Sequence, residues 1–282
     1  MSWKWQGRHL HIMERNDCML CNEVINIIEK EYAPKYALSW DNVGLLAGRD
    51  DKEVKKIYVA LDATDEVVDQ AIAADVDMLI THHPLIFSGI KQINNQNFIG
   101  RRLIKLIQSD ISYYAMHTNY DVRGMADLAA DYLKLEKCQV LDITGENESG
   151  EPEGIGRIGE ITSEAEKVTL KDYCEEVKKA FSLETVKVFG DMNQLIHRVA
   201  VCPGSGKSDM DQAIEKGADV YVTGDIGHHE GIDAVARGMA VIDAGHYGVE
   251  HIFIRDMGRY LRKNISGVEI IEAPVSHPFA VV

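Results

Sequence analysis

The chain repeats itself, and that limits its fold more than any other feature of its 282 residues. A shift of 142 residues lays Asp69-Gln70-Ala71-Ile72 on Asp211-Gln212-Ala213-Ile214, and the same shift lays Asp77-Met78-Leu79-Ile80-Thr81 on Asp219-Val220-Tyr221-Val222-Thr223 without a gap. A shift of 129 sets His117-x-x-x-Asp121 against His246-x-x-x-Glu250, each following an apolar run. The order strand, helix, strand, helix, strand, His-x-x-x-acid thus occurs twice. Strands separated by helices of this length form βαβ units around parallel sheets. The expected fold is α/β: two related halves about a pseudo-twofold axis, with mainly parallel sheets and flanking helices.

In the first half the periodicity predicts helices over 21–36, 64–74 and 98–109, with strands over 45–47, 56–61, 78–81 and 111–115. The second half restarts with strands at 199–202, 220–223 and 240–244 and helices at 208–216 and 231–237. Between them, 135–166 is richer in Gly, Glu and Ser, and the alternation over 154–161 reads as an edge strand or hairpin. A helix follows over 170–181. This divides the chain into an N-terminal extension of 1–18, a first α/β domain of 19–123 plus 243–282, and a second of 124–242.

Charge and composition exclude several functions. A net charge of -15 disfavours holding nucleic acid by bulk electrostatics. No apolar run approaches the roughly 18 residues of a membrane span, and the first residues lack the apolar core of a secretory signal. Five cysteines without regular spacing fit a reducing cytoplasm rather than a disulfide framework. Cys18-x-x-Cys21 has neither the second pair of a zinc knuckle nor the preceding strand of a redox motif.

The chemistry gathers where strands end. Ile80-Thr81-His82-His83-Pro84 closes an apolar run, and Pro84 stops the ladder there, so both imidazoles can turn toward one cavity. His-x-x-x-carboxylate spacing puts His117 with Asp121, and His246 with Glu250, on one turn of helix. In open α/β sheets ligands collect at the carboxyl ends of strands, where all three groups fall. Imidazole with carboxylate suits zinc, iron or manganese. Four histidines and two acids exceed one catalytic metal's needs and suit two divalent ions roughly 3.5–4 Å apart with a bridging water. Of the four, His117 is the first to fall outside the ligand set, with a role in proton transfer.

Two further stretches border this cavity. Cys202-Pro203-Gly204-Ser205-Gly206-Lys207-Ser208 resembles a phosphate loop, but Val201 stands where the motif's first glycine belongs, so a tight structural turn is expected. Under the 142-residue shift Asp225 lies opposite His83, close to the cavity, and His229 opens the next helix, facing substrate or capping in solvent.

The blocks Trp40-Asp41-Asn42-Val43-Gly44-Leu45, Thr81-His82-His83-Pro84, His117-Thr118-Asn119-Tyr120-Asp121, Thr223-Gly224-Asp225 and Gly245-His246-Tyr247-x-x-Glu250 resemble the Nif-three-like family, often labelled GTP cyclohydrolase 1 type 2. The resemblance runs in order over 19–279. It implies a cytoplasmic two-domain α/β protein, a dinuclear metal centre between the halves, and a toroidal homohexamer. It carries His82, His83, Asp121, His246 and Glu250 over as metal ligands, with His117 beside them. It also implies GTP as substrate, opened at C8 of its purine toward a dihydroneopterin triphosphate precursor. The segment 142–166 is too short for the domain that some members insert there, so this is the compact form; the departures are the extension before Met19 and His277. The leading expectation is a dinuclear metal-dependent hydrolase acting on a nucleotide or related small molecule. His117 would relay protons, and Asp225, His229 and Asp41 would position the substrate. The alternative is a metal-binding scaffold or regulator without turnover.

Overall fold

Short apolar runs buried along their whole length demand cover on both faces, which parallel strands receive from crossover helices. Met78–Thr81, Ser112–Ala115, Val220–Gly224 and Ala240–Asp243 are all of this kind. In the computed structural model, which describes residues 19–147, 149–161 and 168–282, they form the middles of two sheets. The extension over 1–18, with Cys18, lies outside the described residues.

The first sheet has the spatial order Gly44–Ala47, Ser112–Ala115, Met78–Thr81, Lys56–Ala60, Glu269–Glu272, parallel except for Gly44–Ala47. The second runs Leu135–Glu146, Pro152–Ile161, Arg198–Ser205, Val220–Gly224, Ala240–Asp243, Lys187–Phe189. Only its three middle strands other than Pro152–Ile161 are mutually parallel; the pairings on either side of them are antiparallel. The expectation of mainly parallel sheets therefore holds for the first sheet and is corrected for the second. Leu135–Glu146 and Pro152–Ile161 are joined as a hairpin, which needs no crossover helix and so reverses direction.

The duplication extends to hydrogen-bond register. Ile57 faces Met78 and Val59 faces Ile80 in one sheet; Val199 faces Val220 and Val201 faces Val222 in the other. Each number of the second set is its counterpart shifted by 142. The Asp77 carboxylate accepts from the backbone N–H groups of Lys55 and Lys56 at 2.7 and 3.0 Å. Asp219 accepts from those of His197 and Arg198, both at 2.8 Å. One aspartate thus sets the entry of the neighbouring strand in each half.

Several element bounds differ from expectation for local reasons. The first helix is Cys21–Glu29, and Pro34–Tyr36 is a separate 3-10 turn; Ala33, held before proline at φ -61° and ψ 144°, cannot continue a helix. The expected helix over 208–216 starts as a 3-10 turn, Gly206–Asp209, and continues as Met210–Glu215. Leu135–Glu146 was expected only as part of a polar middle region because, as an edge strand, most of its residues are exposed and carry no clean alternation. Alternate residues of the second sheet divide between two cores. Val199, Val201, Val220, Val222 and Ile242 join the large core containing Ile57, Leu79 and Tyr113. Ala200, Tyr221 and Val241 face a smaller one. Among the described residues no helix is long and apolar enough to cross a membrane.

If the two aspartates do the same work, Asp77→Ala and Asp219→Ala should each lose about 1–2 kcal/mol of stability by leaving two strand-entry N–H groups without their acceptor. Urea unfolding of the two variants checks this. A loss below about 0.5 kcal/mol in either would reduce that residue to an ordinary surface position.

Candidate metal centre

A regular strand would send His82 and His83 to opposite faces. Here the chain bends as it leaves Met78–Thr81: the Thr81 hydroxyl donates to the His83 carbonyl at 2.8 Å, and the Tyr113 hydroxyl reaches the same oxygen at 3.0 Å. The bend brings the two imidazoles onto one side, with ring centroids 4.9 Å apart. From the other sheet, the strand Ala240–Asp243 leads into the short helix His246–Glu250, and one helical turn places His246 Nε2 3.0 Å from Glu250. Asp121 follows the turn Thr118–Tyr120 at the start of a π-helical segment, Asp121–Met125, an irregularity common at functional sites.

These side chains converge around Glu250. His83 Nε2 lies 2.9 Å from Glu250 Oε2, and His82 Nε2 lies 3.6 Å from Glu250 Oε1 and 3.4 Å from Asp121 Oδ1. His83 Nε2 and His246 Nε2 are 3.1 Å apart. The other ring nitrogen of each histidine is held from behind. His82 Nδ1 donates to the Met116 carbonyl at 2.9 Å, His83 Nδ1 to Asp62 at 2.8 Å, and His246 Nδ1 to Asp225 at 2.8 Å. With Nδ1 carrying the proton, each neutral ring directs an Nε2 lone pair at the common point. Buried His82 Nε2, Asp121 Oδ1 and Glu250 Oε2 are left without a hydrogen-bond partner. Ligand atoms of His82, His83 and Glu250 all lie within 4.8 Å of one another. Orphaned buried acceptors grouped this closely suit a cation.

Electrostatics point the same way. Burial alone would draw the His82 pKa down, but Asp121 and Glu250 overcome it and raise it to about 10. Against the same burial, Glu250 with Asp62 raises His83 to about 9, and Glu250 with Asp225 raises His246 to about 9. Burial would push the Glu250 carboxyl up; His83, His246 and His82 instead hold it well below the carboxylate range. The centre therefore attracts positive charge, as protons or as metal.

The remaining residues take distinct places. His117 faces the cleft above the cluster, its ring centroid 5.4 Å from His82 and 5.7 Å from His83. Its Nδ1 is held by Asp41 at 2.9 Å, and not by Asp121, its partner in the His-x-x-x-acid spacing. Asp41, its side chain covered, also accepts from the Thr118 N–H and hydroxyl at 2.9 and 2.5 Å, so it orients His117 from below. Asp225, at φ 58°, stands behind His246. His229 lies in the first turn of His228–Ala236, exposed and packed against His228, and is not part of the cleft lining. His277 packs against Tyr247 with centroids 5.3 Å apart. Asp62 is the residue sequence reasoning missed. Its only signal was an acid at the carboxyl end of the strand beside the histidine pair.

The stretch from the end of Arg198–Ser205 into the turn Gly206–Asp209 is structural, as expected, but shaped for this site. Gly204 has φ +80°, and a Cβ there would stand 2.5 Å from Glu250 Oε1. The Gly206 N–H is taken by the Thr223 hydroxyl at 2.9 Å and is not free for phosphate. Above the cluster opens a cleft of about 1070 Å³, with Trp40 and Phe87 on one side and Asp142, Asp209 and Gln212 in its lining as well.

Comparison with known proteins gives these features a context. A family model described as Duf34/NIF3 (NGG1p interacting factor 3) matches residues 19–278. A GTP cyclohydrolase 1 type 2 homolog of Clostridium acetobutylicum is 36% identical over 231 residues, covering 81% of this chain and 84% of the relative. The protein of the same name from Clostridium perfringens is 32% identical over 265 residues, covering 93% and 99%. Among solved structures, a Bacillus cereus protein related to NIF3 superposes with a TM-score of 0.88 at 26% identity, covering 94% of this chain and 99% of that one.

Asp41 offers a test that needs no ligand. Burial would raise its carboxyl pKa, but hydrogen bonds from His117 and Thr118 hold it at about 2, below its ordinary 3.8. Its ionised form therefore stabilises the fold above the unfolded pKa, and that contribution is lost as pH falls through about 2. Asp41→Asn should lose on the order of 2 kcal/mol near neutrality, and its deficit should shrink steadily below about pH 4. Urea unfolding of both proteins at several pH values measures the gap.

Proposed function

The chain belongs to the Duf34/NIF3 family, and from that membership and the geometry of the cleft we propose that it is a dinuclear metal-dependent hydrolase of a small molecule. The observation that carries the reading is the set of buried acceptors His82 Nε2, Asp121 Oδ1 and Glu250 Oε2 left without partners where these side chains meet. His82, His83, His246, Asp121 and Glu250 would hold the metal. Three imidazoles and two carboxylates are more than the three protein ligands of a mononuclear catalytic site, which favours two ions. Zinc, iron or manganese suit this donor set. When bound, such a pair supplies a water that ionises near neutral pH and a Lewis acid for the bond being broken.

The chain's own residues have separable tasks. Glu250 faces His82 with one oxygen and His83 and His246 with the other, so both oxygens would be available to hold metal. Met116, Asp62 and Asp225 fix the imidazoles from behind. His117, oriented by Asp41 through Nδ1, has Nε2 left to move a proton at the substrate. The names of the relatives support a nucleotide such as GTP, or a related cyclic amide, as substrate. A cytoplasmic location and a homohexamer belong to the same proposal.

Protein purified without added metal should carry about two divalent ions per chain by elemental analysis. Asp121→Asn and Glu250→Gln should fall below one, with assembly intact and turnover of a nucleotide and phosphoester panel reduced to background. Two ions with no turnover across that panel would move the protein to the scaffold reading. Asp62→Asn and Asp225→Asn should bind metal about 10–100-fold more weakly in chelator competition. Gly204→Ala, whose methyl would displace Glu250, should lose metal while its far-ultraviolet circular dichroism stays unchanged.

A further inference from the structure

The metal centre occupies only part of the cleft, and the rest has a definite chemical character. Trp40 and Phe87 are 55% and 53% exposed, large for apolar rings. Their centroids lie 5.7 Å apart and at 6.0 and 6.3 Å from the His117 ring. The two segments are braced to each other, because the Asn42 side chain donates to the Ile86 carbonyl at 2.6 Å. They are also braced to the centre, because Asp41, next to Trp40, holds His117. The two ring planes are inclined by 46°, so a flat ring beside the residue assigned to proton transfer can lie face-on to one of them and tilted against the other.

Charge narrows the class. Among the described residues lining the cleft are Asp62, Asp121, Asp142, Asp209 and Glu250, and no lysine or arginine. Lys207, beside the lining residue Ser208, pairs with Glu230, and Arg102 in the adjoining pocket pairs with Asp65. Apart from metal ions, phosphate sites are built from arginine, lysine or free backbone N–H groups, and the Gly206 N–H in the facing turn is already engaged. Two divalent ions would balance the acids without leaving positive charge over for a phosphate chain. The lining instead supplies acceptors: Asp142, and Gln212, whose Oε1 is buried without a partner; the nearly buried Asp209 already accepts from the Ser208 hydroxyl at 2.8 Å.

We infer that the ligand of this centre is a planar, uncharged nitrogen heterocycle bearing N–H groups, stacked on Trp40 and Phe87, and that a phosphate chain is not recognised. The inference rests on the hydrolase reading for what becomes of the ligand, but its binding does not require turnover.

Calorimetry on metal-loaded protein tests it with guanosine, guanosine 5′-monophosphate and GTP as probes. Guanosine should bind at least as tightly as either nucleotide. Trp40→Ala and Phe87→Ala should each weaken guanosine binding roughly tenfold, the scale of one aromatic stack, with metal content and oligomer size unchanged. Affinity rising tenfold or more with added phosphates, no guanosine binding, or a Trp40→Ala variant that alters assembly but not affinity would each overturn it. The expected pattern without turnover would sink the hydrolase reading alone; two bound metals with a preference for GTP would sink this inference alone.

Discussion

The contact on which the molecule turns is the 3.1 Å approach of His83 Nε2 to His246 Nε2, with both nitrogens aimed at one oxygen of Glu250. Two imidazole lone pairs and a buried carboxylate repel unless positive charge stands between them. Neither ring can turn away, since Asp62 and Asp225 fix their Nδ1 atoms. The arrangement is thus preset by hydrogen bonds behind the rings, and a cation held there would offset the cost of assembling it.

The fold supplies this approach by bringing the carboxyl ends of two sheets face to face. His82 and His83 leave the first sheet, and His246 and Glu250 follow the strand Ala240–Asp243 of the second. Both sheets contribute to the large core, so moving one against the other would open buried apolar surface as well as separate His82 and His83 from His246 and Glu250. Site geometry and core packing are therefore one constraint.

Much of this was legible in the sequence because the signals were local. An apolar run stopped by Pro84 marked His82 and His83 as a strand exit, and i, i+4 spacing paired His246 with Glu250. The same spacing does put His117 and Asp121 on one turn, with the Asp121 N–H donating to the His117 carbonyl at 3.0 Å, but it gives no sign that Nδ1 pairs with Asp41, a residue 76 positions away. Asp62 had no distinguishing neighbour, since a single acid after a strand is commonplace until its partner is seen. The exposed edge strand Leu135–Glu146 lacked a buried face and so lacked a pattern to read. Contacts between distant segments, and elements that bury little, leave the weakest marks on a sequence.

The repeat explains why the two halves do different work. Under the 142-residue shift His82-His83 corresponds to Gly224-Asp225, and Asp62 to Gly204. The first half has imidazoles where the second has a glycine and an acid. A Cβ on Gly224 would fall 2.4 Å from the His246 backbone nitrogen, so only glycine lets the short helix His246–Glu250 come close. Gly204 likewise clears room for Glu250, where a side chain like that of Asp62 would collide with it. Asp225, at the position equivalent to His83, serves His246 from behind. The second half has thus exchanged bulk at its strand ends for the close approach of the helix that carries His246 and Glu250. A symmetric pair, with histidines at both strand ends, would leave no space for that helix and no carboxylate at the centre of the cluster.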